Sequence, residues 1–542
     1  MNEHPIHAFS HDLVETLCVL SPVNATFVGV KGHDHAWDDF GPAGHHARRE
    51  AYRDLAARLA SLPAADSPDV ELALRVHREH VDERLESFSS DDHYFDLNNI
   101  TSTFQLLTVT FDFMTGDDAE SAADLSARLD GLPSAAAKYR ALLDEGRTRG
   151  RTVARRQVQA AIAEGRAKSG TFSQRYGERA AAADRAYTEL TDWLEREYLP
   201  RATTIDGVGE ERYRRSLRRF LGTNLDLHET YAWGFEEIRR IESAMASLAT
   251  RIAPGKTVRE VAAQLASDPS ANADVPEPFL ETMRARQRRA LELLGGSHFD
   301  VPEPIRKLEV RLASPGGKPG AYYTAPSEDF SRPGIVWYSP GSRASMPLWQ
   351  EITTAYHEGF PGHHLQVGTQ VQKADRLTRY QRLFAEWSGF AEGWALYAER
   401  LMLELGFFER PEYELGMWLG ELARACRVVV DIGLHLDLVI PETSSFHPGE
   451  RWTYELAVEL MRDRALMDPE LAASEVVRYL GWPGQAISYK VGQRALLDLR
   501  AKYTERNGAD SLREFHRDVL SLGCVPLGLL EGAVLSTPRP SR

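Results

Sequence analysis

Cysteine is nearly missing: Cys18, Cys426 and Cys524 are the only three in 542 residues. They are too few and too scattered for a disulfide framework or a Cys-based metal knuckle. No apolar run approaches the ~18 to 20 residues that a bilayer-spanning helix needs, so no membrane partner is expected. Positive charge is in deficit, with 64 Lys and Arg against 79 Asp and Glu. The resulting charge of −15 and pI near 5.7 argue against nucleic acid, whose phosphates call for a basic surface. The start, Met1-Asn2-Glu3-His4-Pro5, lacks the basic-then-apolar layout of a signal peptide, and a cytoplasmic location is expected. Two metal signatures are also missing. No His is preceded three residues earlier by Glu, as a helical di-iron site would need, and the zinc-protease pattern His-Glu-x-x-His does not occur.

What is present is an ordinary globular composition, 43% hydrophobic and 26% charged with mean hydropathy −0.39. From about His46 to Phe220, apolar residues recur three and four apart, as in Ala51-Tyr52-Leu55-Leu59, the period of amphipathic helices. Leu199-Pro200 marks a boundary between an N-terminal helical region, 1–200, and a second region, 201–542. Short β-forming runs follow at Lys307–Leu312, Ala321–Thr324 and Ile335–Tyr338, bounded by turns such as Ser314-Pro315-Gly316-Gly317. They predict a small sheet at about 307–340. Tyr322 on its second strand is a substrate-binding candidate, since an exposed edge strand can take an extended peptide. Helices are then expected over 347–361, 376–405, 411–440, 448–467, 472–480, 486–507 and 512–522. The fold class is mainly α, a large helical chain with a small sheet just before its metal helix.

The stretch Tyr356-His357-Glu358-Gly359-Phe360-Pro361-Gly362-His363-His364-Leu365-Gln366 reads as a metal site. It supplies an imidazole, a carboxylate base and further imidazoles within two helical turns. On a straight helix His363 would point about 120° away from His357, while His364 would align but lie roughly 10 Å along the axis. Pro361 clashes with the carbonyl four residues back, that of His357, and Gly362 permits unusual backbone angles. The helix is therefore expected to break there, letting a His beyond the break return beside His357. The histidines of Gly32-His33-Asp34-His35 and Gly44-His45-His46 lack such spacing and read as loop residues.

A third ligand is expected from Glu392 in Glu392-Gly393-Trp394-Ala395-Leu396-Tyr397-Ala398-Glu399. A carboxylate on so apolar a helix needs a partner or a metal. Glu399, seven residues on, suits a supporting role behind a ligand. Glu358 is then the general base. Arg427, Asp431 and His435 form an i, i+4, i+8 polar stripe on an apolar helix. Arg427 and Asp431 are read as an ion pair, and His435, oriented by Asp431, as an oxyanion donor. In Arg478-Tyr479-Leu480-Gly481-Trp482-Pro483-Gly484-Gln485-Ala486-Ile487-Ser488-Tyr489, Tyr489 is a second oxyanion donor. Arg478 is placed to meet a substrate carboxylate, with Gln485 beside it.

These four motifs together resemble the bacterial domain of unknown function 885 family over nearly the whole chain. Its members look like zinc metallopeptidases related to the thimet oligopeptidase and Taq-carboxypeptidase group, mostly helical with a deep cleft, which the N-terminal region would cover. The family pattern His-Glu-x-x-Pro-Gly-His-x-x-Gln favours His363 over His364 as the ligand, leaving His364 in support. By that resemblance His357, His363 and Glu392 hold one zinc ion and Glu358 is the base. The expectation is a hydrolase of peptide or peptide-like amide bonds in short substrates, carboxypeptidase- or oligopeptidase-like; a homodimer is within what the sequence allows. The alternatives are a non-hydrolytic metal enzyme and a catalytically silent peptide-binding protein.

Overall fold

The structure, a computed structural model, describes residues 4–114, 116–313, 320–341 and 343–536. The expected turn Ser314-Pro315-Gly316-Gly317 lies outside them. The chain is mainly helical, 68% helix and 5% strand, as the three-and-four apolar spacing dictates. The helices that build the site are α1 (Glu277–Leu294), α2 (Leu348–Glu358), α3 (His363–Gln372), α4 (Ser388–Glu404), α5 (Pro411–His435), α6 (Pro469–Gly481) and α7 (Ser488–Asn507). Among the described residues no helix is long and apolar enough to cross a membrane.

The apolar interior forms two clusters. The smaller joins Val23, Phe40 and the helices between Leu97 and Ala202. The larger unites α1 to α7 with the N-terminal helices Ile6–Leu20, Pro42–Ala60 and Pro68–Ser89. At its centre α4 crosses α7 at backbone contact. A Cβ on Gly492 would lie 1.8 Å from the Gly389 carbonyl oxygen, and one on Gly393 would lie 2.5 Å from Gly492. Only glycine fits there. A buried polar cluster ties α7 to α5, with Lys490 Nζ donating to Glu421 at 2.6 Å and to Gln493 at 2.6 Å.

The expected small sheet forms within a residue or two of its predicted limits. β2 (Leu308–Leu312) pairs parallel with β4 (Gly334–Ser339), and β3 (Gly320–Thr324) pairs antiparallel on the other side of β4. Central β4 is mostly buried, while edge β3 is half-buried to exposed throughout, as their positions require. A separate two-stranded ribbon joins β1 (Asn272–Asp274) to β5 (Ser345–Pro347), immediately before α2. Three-residue strands carry too little alternation to be read from sequence.

Several expected helices are shorter, among them the one expected over 448–467, which forms only over Tyr454–Asp463. The one expected over 376–405 is interrupted between Leu383 and Ser388, because tertiary partners take its backbone: Gln370 Nε2 donates to the carbonyls of Gln381 and Ala385, and the Trp387 N–H meets Cys524 Sγ. The one expected over 411–440 ends at His435. There Val208 and Gly209 lie across its last turn, and the Gly209 N–H donates to the His435 carbonyl at 3.0 Å.

Candidate metal centre

Helix α2 stops at Glu358 and α3 begins at His363, so the helix does break around Pro361. The break is clamped from both sides. Gln287 of α1 donates to the Ala355 carbonyl and accepts the Phe360 N–H at 2.7 Å, while Trp394 Nε1 of α4 donates to the Pro361 carbonyl at 3.0 Å. Gly362 is required by crowding: a Cβ there would lie 2.0 Å from the His357 carbonyl oxygen. The chain thus folds back on the end of its own helix. This brings the imidazoles of His357 and His363 edge to face, 4.9 Å between centroids.

Glu392 of α4 closes the group. Its Oε2 lies 3.3 Å from His357 Nε2 and 3.5 Å from His363 Nε2, and all three donor atoms fall within 4.8 Å of one another. Donors about 2.0 to 2.1 Å from one tetrahedral ion stand roughly 3.3 Å apart, close to these separations. That Glu392 oxygen is buried with no hydrogen-bond partner, a cost that a cation at this point would remove. Among the described residues this is the one group of His, Cys, Asp or Glu side chains with metal-binding spacing. His45, by contrast, stacks on His93 at 3.6 Å and belongs to no such group.

Behind His357 stands Glu399, fully buried, accepting from Nδ1 at 2.7 Å and also bound by the Thr353 hydroxyl. The bond fixes the ring so that Nε2 faces His363 and Glu392. Burial opposes a charged His357, yet the flanking Glu392 and Glu399 carboxylates hold its pKa up at about 10. Against the same burial, the two imidazoles keep Glu392 well below the usual carboxylate range. The structure holds Glu358 half-buried, without hydrogen bond or ion pair among the described residues. His364 points elsewhere: Nε2 meets the Ile305 carbonyl at 2.6 Å and Nδ1 the Tyr323 hydroxyl at 3.0 Å. It fastens α3 to the sheet.

Tyr489 of α7 lies over the cluster, its ring parallel to His357 at 6.3 Å, with the Arg427 guanidinium 4.9 Å from its centroid. Three expectations, those for His435, Asp431 and the pair Arg478 and Gln485, need correction. His435 receives the Val208 N–H on Nδ1 and donates from Nε2 to the Tyr479 carbonyl at 3.1 Å, so neither nitrogen is free to stabilise an oxyanion. Asp431 accepts from Tyr213 and from the Gly484 N–H instead of pairing with Arg427, and it lies 3.6 Å from His435. Arg478 is bound by Glu475 on two nitrogens and by Gln485 on the third, which occupies both Arg478 and Gln485. Tyr322 stacks on Trp337 on the exposed side of β3, while its neighbour Tyr323 is the one that reaches His364.

Sequence reading missed Glu475, which gathers Arg427, Arg478 and the Tyr479 hydroxyl. Its spacing was the available signal, since Glu475, Arg478 and Tyr479 are i, i+3 and i+4 on one helix. Gln287, Thr353 and Arg424 were also missed. Gln287 and Thr353 carry no pattern, and Arg424 stands three residues before Arg427 on an apolar helix.

Fold and site together define a large, mainly helical protein with a His-His-Glu cluster, buried at His357 and half-buried at His363 and Glu392, built across a helix break. The chain belongs to the DUF885 family, described as bacterial protein of unknown function, whose profile matches residues 22–534. It is similar to the crystal structure of a "putative lipoprotein" from Colwellia psychrerythraea, with a TM-score of 0.87 at 22% identity, covering 98% of each chain. A second similar structure is a "putative lipoprotein of unknown function" from Shewanella oneidensis, TM-score 0.73 at 19% identity, covering 97% of this chain and 99% of that one. These likenesses concern the fold. No curated protein sequence matches the chain.

Proposed function

We propose that the protein is a zinc-dependent hydrolase of peptide or peptide-like amide bonds in short substrates, with a metallopeptidase-like helical fold whose cleft opens at this cluster. The observation that carries the reading is the convergence of His357, His363 and Glu392 on one point, with Glu399 fixing the ring of His357 from behind. The donor set suits zinc: once a cation displaces the proton that the two carboxylates hold on His357, two neutral imidazoles and one carboxylate leave a fourth position open. A zinc ion bound there would supply Lewis acidity toward water and the substrate carbonyl.

The protein's own residues supply the rest. Glu358, next to a ligand and unpaired, accepts a proton from the attacking water as its oxygen bonds to the carbonyl carbon. The same carboxyl then delivers that proton to the leaving nitrogen as the C–N bond breaks, giving a carboxylic acid and an amine. Tyr489 offers its hydroxyl to the carbonyl oxygen as negative charge grows there. His357 is held by Glu399 throughout and moves no proton.

The test is metal analysis of the purified protein together with a mixed short-peptide assay on the parent and Glu358→Gln. About one zinc per chain in both proteins, with turnover only in the parent, is expected. Absence of stoichiometric metal, or equal turnover, would rule the mechanism out.

A further inference from the structure

Helix α5 is mostly buried, but Gly420, Arg424 and Arg427, at i, i+4 and i+7, form a half-buried file along one side. That file lies beside the metal cluster, since both arginines flank the Tyr489 ring that stacks on His357. The Arg427 guanidinium is 4.9 Å and the Arg424 guanidinium 6.0 Å from its centroid. The two cations differ in how they are satisfied. Arg427 donates to Glu475 at 2.9 Å and to the Tyr479 hydroxyl at 3.0 Å. Arg424 makes no hydrogen bond among the described residues, and its Nε is buried without a partner. Its nearest acid is Glu399 at 4.0 Å, and Glu399 already serves His357 and Thr353.

A guanidinium on a side chain only 21% exposed, with its Nε buried and no hydrogen bond made, carries a desolvation cost that a ligand would offset. Its planar fork matches a carboxylate, whose two oxygens accept in parallel. We infer that Arg424, with Arg427 beside it, receives the free α-carboxylate of the substrate's C-terminal residue, so that the protein trims short peptides from the C-terminus. The inference rests on the hydrolase reading above and adds its polarity. The short distances decide in favour of exo-cleavage: the file is separated from His357 by one aromatic ring, and each residue of extended peptide spans only about 3.3 to 3.6 Å. An anion held there leaves space for few residues beyond the scissile bond. Arg478, saturated by Glu475 and Gln485, cannot take this role.

The test compares Arg424→Met and Arg424→Lys with the parent in two measurements. The first is hydrolysis of a short peptide as its free acid and as its C-terminal amide. The second is calorimetric binding of N-acetylalanine and N-acetylalaninamide to zinc-loaded protein. In the parent the free acid should be preferred in both. In Arg424→Met the acid should bind about 10- to 100-fold more weakly, KM for the acid peptide should rise more than kcat falls, and the preference over the amide should collapse. Arg424→Lys should restore part of it. Equal binding or cleavage of acid and amide by the parent would overturn the inference. So would binding of neither probe, or an Arg424→Met variant that slows both peptides and keeps their ratio, the signature of a residue that merely supports Glu399. Should the protein take up no zinc and cleave neither peptide while acid binding to the metal-free protein still depends on Arg424, the hydrolase reading fails and the anion subsite stands.

Discussion

The residue on which the cluster's geometry turns most directly is Glu399, which touches no proposed ligand atom. It is fully buried, and its bond to His357 Nδ1 selects the tautomer that leaves Nε2 free. Glu399→Ala should therefore weaken zinc affinity about 10- to 100-fold with the three donors intact, and Glu399→Gln, still able to accept from Nδ1, should lose less. Chelator competition measures this, and an unchanged affinity in both variants would show that the bond does not orient the ring. The grouping of His357, Glu392 and Glu399 was legible in the sequence, His357 from its spacing to the histidines beyond Pro361 and the two acids because charged groups on an apolar helix carry a cost that has to be met somewhere. The role of His435 was not legible. A lone His on an apolar face looks the same whether it meets a substrate or, as here, the backbone of Val208 and Tyr479.

At the scale of elements, the break between α2 and α3 makes the site. Pro361 and Gly362 announced it, since the first forbids a continuous helix and the second allows tight contact. Its partners, Gln287 and Trp394, come from distant helices and carry no local signal. Gly362→Ala would set a methyl against the His357 carbonyl. It should cost roughly 1 to 3 kcal/mol of stability and displace His363 enough to lose zinc. Gly532→Ala is the control, because a Cβ there meets nothing within 4 Å; in its helix it should be neutral or slightly stabilising. Melting curves and zinc titration of both variants test this, and retention of full zinc binding by Gly362→Ala would contradict the crowding argument. The small sheet was legible because its strands are runs of β-forming residues bounded by turns, whereas the ribbon of β1 and β5 and the early end of α5 are set by partners far along the chain.

At the scale of the whole molecule, the buried pair Asp431 and His435 links α5 to the turn before α7 and to the segment before Tyr213. Burial pulls His435 down to about 4 and pushes Asp431 up to about 7. The signs oppose each other. Below its unfolded pKa of about 6.5, His435 takes up protons mainly in the unfolded chain, so its stabilisation, complete above that pH, is lost as pH falls through about 4. Asp431 retains a proton that the unfolded chain releases near pH 4, so its stabilisation is lost as pH rises toward about 7. Relative to the parent, His435→Asn should lose stability more steeply as pH rises from 4 to 7, and Asp431→Asn should gain it. Each separation of pKa values corresponds to about 3 to 4 kcal/mol over the window. Denaturant unfolding at stepped pH reads both slopes, and identical slopes in the three proteins would show that this pair does not couple pH to the fold.

The central claim is that Glu358 moves the proton in an amide hydrolysis carried out at the His357, His363 and Glu392 cluster. The measurement that tests it most directly is short-peptide turnover by Glu358→Gln at a zinc content equal to the parent's. A general base contributes about 10²- to 10⁴-fold, and a loss at least that large with zinc retained is the predicted result. Equal turnover in the two proteins, or a parent that holds no zinc and cleaves nothing, would contradict it.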